Sequence, residues 1–392
     1  MTYRIYLFLL FSVFQSSVYA LTLGIEQHDT IHTLLQKKRV GLIVNHTSSI
    51  EDIHLVDLLL KQGIDVRKIF TPEHGFRGDQ DAGAPIENGT DAKTGLPLIS
   101  LYGDMKKPSN ASLSELDVLL FDIQDVGARF YTYISTMHYA MEAAAENGLQ
   151  FIVLDRPNPN IRYVDGPILE SQFSSFVGLH PIPVLHGMTV GELAKMIKGE
   201  RWINQAERLD LTVVAMKDYS SNIRYTLPIA PSPNLPNSKA IQLYPSLCFF
   251  EGTAVSIGRG TDHPFQLFGH HQVKLGPWEI IPKPNAGASK PKLNGARLFA
   301  SDLRDSVIQG LDLRPLIESY RAFEQQGELF FTSKSFFDKL AGTDKLRLAI
   351  EQGHSAEQIR ASWAADLKHF EKRRAAYLLY PRLSAQDTSS SN

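Results

Sequence analysis

The chain has 392 residues, of which 43% are hydrophobic and 21% charged, with a formal net charge of -2 at pH 7. That length allows two domains of ordinary size, each with its own core. The near-zero charge excludes an electrostatic case for nucleic acid or an anionic membrane surface, and a single cysteine, Cys248, excludes an intrachain disulfide.

Met1 to Ala20 has the form of a secretory signal. Arg4 supplies a positive start, Ile5 to Phe14 is a short apolar run, and Val18-Tyr19-Ala20 places small residues at the cleavage positions. The run is too short to span a bilayer comfortably. A mature protein beginning near Leu21, periplasmic or secreted and without a membrane anchor, is the expectation.

Beyond residue 24, strand-like and helix-like patterns alternate. Val40 to Val44 is apolar and leads into Asn45. Leu55 to Leu60 reads as a helix that Gly63 ends. Val66 to Phe70 reads as a strand, and its Arg67 and Lys68 suit a sheet edge. Leu98 to Leu101 and Val118 to Phe121 are further strands. Tyr133 to Glu146 is an Ala-rich helix stopped by Gly148, and Phe151 to Leu154 is a strand. Thr189 and Glu192 have capping-box spacing for a helix after Met188. Leu211 to Ala215 closes the series. Alternating units of this kind argue for a parallel sheet covered on both faces. Leu227 to Pro236 and Ile281 to Asn294 read as loops. Leu298 to Gln309, Leu313 to Glu324, Ser335 to Leu340 and Ala356 to Tyr380 carry helical patterns, and Gln386 to Asn392 is a polar tail.

Several strands end in polar clusters: Asn45, Glu73, Asp122 with Asp125, and Asp155 with Arg156. In a parallel sheet these ends share one edge, where ligands bind in open α/β folds. Thr71 to Gly78 places Glu73, His74 and Arg77 in one turn, with Gly75 and Gly78 letting the backbone bend. Asp122 to Tyr133 adds Gln124, Arg129, Tyr131 and Tyr133, which together suit a polyhydroxylated ligand. Asp125 could equally cap a helix, and Asp122 suits a structural role. Glu251-Gly252-Thr253 and Gly258-Arg259-Gly260-Thr261 suit either an anion or a tight turn. Dinucleotide, P-loop and G-x-S-x-G signatures are absent, as is any metal-ligand spacing. No cofactor and no metal are expected.

Taken together, several motifs resemble one family. They are Pro72-Glu73-His74-Gly75-Phe76-Arg77-Gly78, Asp122-Ile123-Gln124-Asp125-Val126-Gly127 with Arg129 to Tyr133, Asp155-Arg156-Pro157-Asn158-Pro159, His186-Gly187-Met188-Thr189, Ser232 to Pro236, and the glycine-flanked Arg259 segment. The chain is similar over nearly all of its expected mature length to the exo-β-N-acetylmuramidases. The resemblance implies a Rossmann-like parallel-sheet catalytic domain over 21–240 that binds no nucleotide. It implies a smaller C-terminal α/β domain over 241–383, and the polar composition beyond it reads as a disordered tail over 384–392. It further implies release of terminal N-acetylmuramic acid from peptidoglycan-derived muropeptides or disaccharides.

The family's proposed catalytic glutamate falls on Glu73. Glycosidases usually use two carboxyl groups, and Asp125 is the preferred second group, with Asp122, Asp155 and Glu251 as alternatives. Expected substrate contacts from the first motifs are Asn45, His74, Arg77, Gln124, Arg129 and Tyr131. Arg156, Asn158, His186, Glu251, Arg259 and Thr261 complete the set. Arg77, Arg129, Arg156 and Arg259 are natural partners for the lactyl carboxylate of muramic acid. A non-catalytic extracytoplasmic sugar-binding protein and a cell-wall amide or ester hydrolase fit the same residue pattern.

Overall fold

A computed structural model of the protein describes residues 21–73, 75–76, 88–103 and 105–382. The expected signal and tail, His74 and Arg77 lie outside the described residues. The amino-terminal part opens with helix α1 (His28–Leu35) and strand β1 (Arg39–Val44). A small hairpin, β2 (Ser49–Ile50) and β3 (Ile53–His54), leads into α2 (Leu55–Lys61) and β4 (Asp65–Thr71). Next come β5 (Gly89–Thr90), β6 (Pro97–Ser100), α3 (Asn110–Leu113), β7 (Val118–Asp122) and α4 (Tyr133–Asn147). Then follow β8 (Gln150–Leu154), α5 (Val190–Gly199) and β9 (Asp210–Val214).

Seven of these strands form one sheet in the order β5-β6-β4-β1-β7-β8-β9. Every pair is parallel except β5 with β6. The chain enters at the centre in β1, steps outward through β4 and β6, then returns to the other side of β1 with β7. This is the doubly wound, Rossmann-like order, whose switch point lies at the carboxyl ends of its first and fourth strands, here β1 and β7. The expected α/β class is the one observed.

Local chemistry explains the elements. Val40 to Val44 and Val118 to Asp122 are buried throughout, as strands covered on both faces must be. One face packs under α4 and α5, and the other under α1 and α2. Helix α4 stops at Gly148, whose φ of 67° is left-handed. The Thr189–Glu192 capping box starts α5 as its spacing predicts.

Two expectations are corrected. The strand before Glu73 is interior, not at the edge. Its neighbour β6 pairs only with Ile69 to Thr71, so the half carrying Arg67 and Lys68 stays uncovered on that side. Arg67 pairs there with exposed Asp65. Secondly, the segment from Leu298 begins as a strand rather than a helix.

The carboxyl-terminal part starts with α6 (Ser238–Leu247) and carries a three-stranded antiparallel sheet in the order β10-β12-β11, from β10 (Leu267–His270), β11 (Trp278–Ile280) and β12 (Leu298–Asp302). Pairing of β12 with both neighbours overrides its helical periodicity. Helices α7 (Arg314–Gln325), α8 (Lys334–Ala341), α9 (Lys345–Glu351), α10 (Ala356–Ser362) and α11 (Ala364–Arg374) follow. The last residues return to the large sheet: Tyr380 donates to Asp155 Oδ2 at 2.5 Å, and Glu192 Oε1 accepts from Leu379 N at 2.8 Å.

Candidate active site

The site forms where β1, β4 and β7 end. Asn45 follows β1 and is fully buried. Its Oδ1 accepts from Thr47 N at 2.9 Å and Thr47 Oγ1 at 2.6 Å, which fixes the amide. Its Nδ2 lies near the Tyr133 hydroxyl but makes no geometrically sound hydrogen bond among the described residues.

Glu73 lies two residues beyond β4 and is half-buried. Thr132, just before α4, donates Oγ1 to Glu73 Oε2 at 2.6 Å. The Tyr102 hydroxyl faces the same carboxylate. Burial first, and the Glu73 charge second, push both Tyr102 and Tyr133 above the usual phenol range. Both phenols therefore remain protonated donors beside Glu73. Tyr133 stands edge-on to Tyr131 at 4.8 Å, and Tyr131 to Tyr244 of α6 at 5.9 Å. Burial first, then Cys248, raises Tyr244, with the Glu73 charge a minor contributor. Glu73 thus borders an aromatic wall built from both parts of the chain.

Asp125 follows β7 and is 4% exposed. Oδ2 accepts from Gly127 N at 2.6 Å, whereas Oδ1 is buried without a partner among the described residues. Burial pushes the carboxyl up to about 7, against the pull of the Gly127 and Val126 amides. Gly127 has a φ of +78°, and a Cβ there would meet Asn158 Oδ1 at 2.1 Å. Only glycine fits this turn. His186 stands behind Asp125, with Nε2 4.0 Å from Oδ2. Burial, then the charges of Arg374 and Arg129, pull His186 down to about 3. Its Nδ1 accepts from Met188 N at 3.3 Å, so the single proton sits on Nε2 and points toward Asp125. The pair is a neutral imidazole beside a carboxyl group, not an ion pair.

Several expected substrate contacts have protein partners instead. Arg129 is fully buried and donates to the carbonyls of Pro167, Ile182, Leu340 and Ala341 at 2.7–3.0 Å. It fastens α8 to the large domain and presents no donor to a ligand. Arg156 forks onto Asp122 at 2.5 and 2.9 Å, with both side chains buried. Gln124 donates to the carbonyls of Asp125 and Pro157, both at 2.7 Å. Asn158 donates to Met188 O at 2.9 Å and braces the Gly127 turn. Asp155 is saturated by Thr189 Oγ1, Tyr380 and the Gly191 and Arg156 amides. Thr261 closes its own turn on Gly258 O at 2.7 Å. The fold supplies partners to most of these polar groups, although Arg129 Nε is buried without one among the described residues.

Arg259 is different. It pairs with Glu251 at 2.7 Å, and each of these side chains is 23% exposed. Its guanidinium lies 5.0 Å from the Phe265 ring centre, and Phe265 contacts Tyr244 edge-on at 5.0 Å. Burial is the largest single influence and lowers its pKa, but the charge and the hydrogen bond of Glu251, with smaller contributions from Tyr244 and Cys248, together raise it. The Glu251–Arg259 pair is therefore the charged rim that the smaller domain brings to the aromatic wall. Buried Cys248 lies beside Tyr244, and burial pushes its thiol up, so it is no nucleophile.

Thr132, Tyr102 and Tyr244 were not among the expected contacts. Tyr102 stands just past β6, where the strand-end rule would have found it. Tyr244 sits inside a helix and carries no such signal. Among the described residues no group of three or more His, Cys, Asp or Glu could hold a metal ion.

Family models resolve what this arrangement belongs to. The model described as exo-beta-N-acetylmuramidase NamZ, N-terminal, matches residues 40–239, and its C-terminal counterpart matches 242–380. The chain belongs to the NamZ exo-β-N-acetylmuramidase family. Within the NamZ family it is 42% identical over 372 residues to the peptidoglycan beta-N-acetylmuramidase NamZ of Bacillus subtilis (strain 168), covering 88% of each chain. Two crystal structures of DUF1343 family proteins from Bacteroides fragilis NCTC 9343 share the fold. One has a TM-score of 0.85 at 44% identity, covering 93% of this chain and 100% of its own. The other has a TM-score of 0.79 at 31% identity, covering 92% and 99%.

Proposed function

We propose that this NamZ-family chain is an exo-acting glycoside hydrolase that releases terminal β-N-acetylmuramic acid from the non-reducing end of peptidoglycan fragments. The observation that carries this reading is Glu73. It is a half-buried carboxyl at a strand end, held by Thr132 and flanked by Tyr102 and Tyr133, with Tyr131 and Tyr244 packed behind Tyr133. An acid placed against an aromatic wall suits protonation of a glycosidic oxygen while the apolar face of a sugar ring packs on tyrosine.

Glu73 delivers the proton to the leaving oxygen. Asp125 and His186 hold the floor of the site in place from below. Arg259, rather than buried Arg129 or Arg156, reads the lactyl carboxylate, since its guanidinium is partly open and, among the described residues, pairs with one carboxylate, Glu251. The reading also locates the protein outside the cytoplasm, because Arg4, the apolar run and Ala20 form an export signal and the polymer lies there.

The test is Glu73→Gln assayed on a muramyl disaccharide and on an aryl β-N-acetylmuramide with a good leaving group. Loss of a general acid costs about a hundred- to ten-thousand-fold on the disaccharide. The activated aryl substrate needs little protonation and loses far less. Near-wild-type disaccharide turnover by folded Glu73→Gln protein would remove Glu73 from the chemistry.

A further inference from the structure

Tyr102 links Glu73 to a second aromatic group that the site described above does not use. Its ring centre is 5.8 Å from that of Phe176, and Phe176 lies nearly parallel to Tyr139 of α4 at 6.4 Å and 12°. All three side chains are half-buried, unlike Tyr131, Tyr133 and Tyr244, which are 1–8% exposed. The Lys106 ammonium rests 5.1 Å from the Phe176 ring centre. Among the described residues, a half-buried lysine thus lies over that half-buried ring.

The geometry points to Tyr102, Phe176 and Tyr139 as the subsite for the sugar on the leaving-group side of the cleaved bond. This assignment rests on the muramidase reading of Glu73. A general acid must touch the glycosidic oxygen, so the two sugars it joins lie on opposite sides of its carboxyl group. Glu73 touches two aromatic groups: the buried tyrosine wall, which suits a terminal residue, and through Tyr102 the half-buried rings of Phe176 and Tyr139, which suit the sugar that leaves. A β-linked N-acetylhexosamine presents axial C–H groups that pack on aromatic rings, and Lys106 is placed to donate to its hydroxyl or acetamido oxygens.

Phe176→Ala and the volume-preserving Phe176→Leu test it, since neither touches Glu73. Two substrates are compared: the disaccharide of β-N-acetylmuramic acid on N-acetylglucosamine, and trifluoroethyl β-N-acetylmuramide, which lacks a second ring. The expected result is a rise in KM of about tenfold on the disaccharide for both variants. Their kcat, and all parameters on the trifluoroethyl substrate, should be close to wild type. Unchanged disaccharide KM in a variant that still cleaves the trifluoroethyl substrate overturns the subsite alone. Equal losses on both substrates by Phe176→Leu assign the ring to packing and also overturn it. Failure of the wild-type protein on both substrates overturns the muramidase reading, and the subsite with it.

Discussion

Replacing Asp125 by Asn separates a buried positioning carboxyl from a catalytic one. Burial raises this group from 3.8 to about 7. That rise of roughly three units corresponds to about 4 kcal/mol of stability that depends on pH. The sign follows from which state holds the proton. Below the unfolded value both states are protonated, and the full stability is present. As pH rises, the unfolded chain releases its proton while the native Asp125 keeps it, so stability falls. Above the folded value the full cost is present, because the native state must then bury a charge. Asp125→Asn removes this titration. Its carbonyl can still accept from Gly127 N, and any cost of the amide nitrogen is independent of pH. Urea unfolding of both proteins between pH 4 and pH 8 should show the difference in stability moving toward the variant by up to about 4 kcal/mol as pH rises. Other carboxylates cancel in the difference. In the disaccharide assay a positioning role should cost about tenfold, against a hundredfold or more for a direct base or nucleophile. A pH-independent stability difference would refute the burial argument. A thousandfold rate loss in well-folded protein would return Asp125 to the chemistry.

Further outcomes are expected. Arg129→Met should destabilise the protein by about 3 kcal/mol or more, because four carbonyls lose a charged donor; urea midpoints read this directly. Unchanged stability would show that the link between Arg129 and α8 is dispensable. Arg259→Met should raise KM for aryl muramides and narrow their advantage over aryl N-acetylglucosaminides, which lack the lactyl carboxylate. An unaltered ratio would exclude Arg259 as the reader. N-terminal sequencing of protein from an extracytoplasmic fraction should begin near Leu21, and an intact Met1 on cytoplasmic protein would contradict export.

Much of this architecture is legible from short-range patterns. Buried runs such as Val40 to Val44, the Gly148 stop and the Thr189–Glu192 cap depend on residues a few positions apart. Periodicity and backbone preference reveal them without knowledge of the fold. The same holds for the idea of a common edge, because polar residues follow each apolar strand. The interior place of β4 and the strand at Leu298 were not legible, since both depend on which segment arrives alongside. The division of labour among the charged residues was not legible either. Arg129, Arg156 and Arg259 look alike in their motifs, but Arg129 meets carbonyls 211 and 212 residues away, Arg156 meets Asp122, and Arg259 stays at the rim. The near-complete burial of Asp125 beside His186 depends on segments far apart in the chain, and Tyr244 joined the tyrosine wall only through packing of α6. Local sequence encodes backbone conformation and the chemical groups available. Which of those groups are consumed by desolvation and which remain for a substrate is a through-space matter, decided only when distant segments close around them.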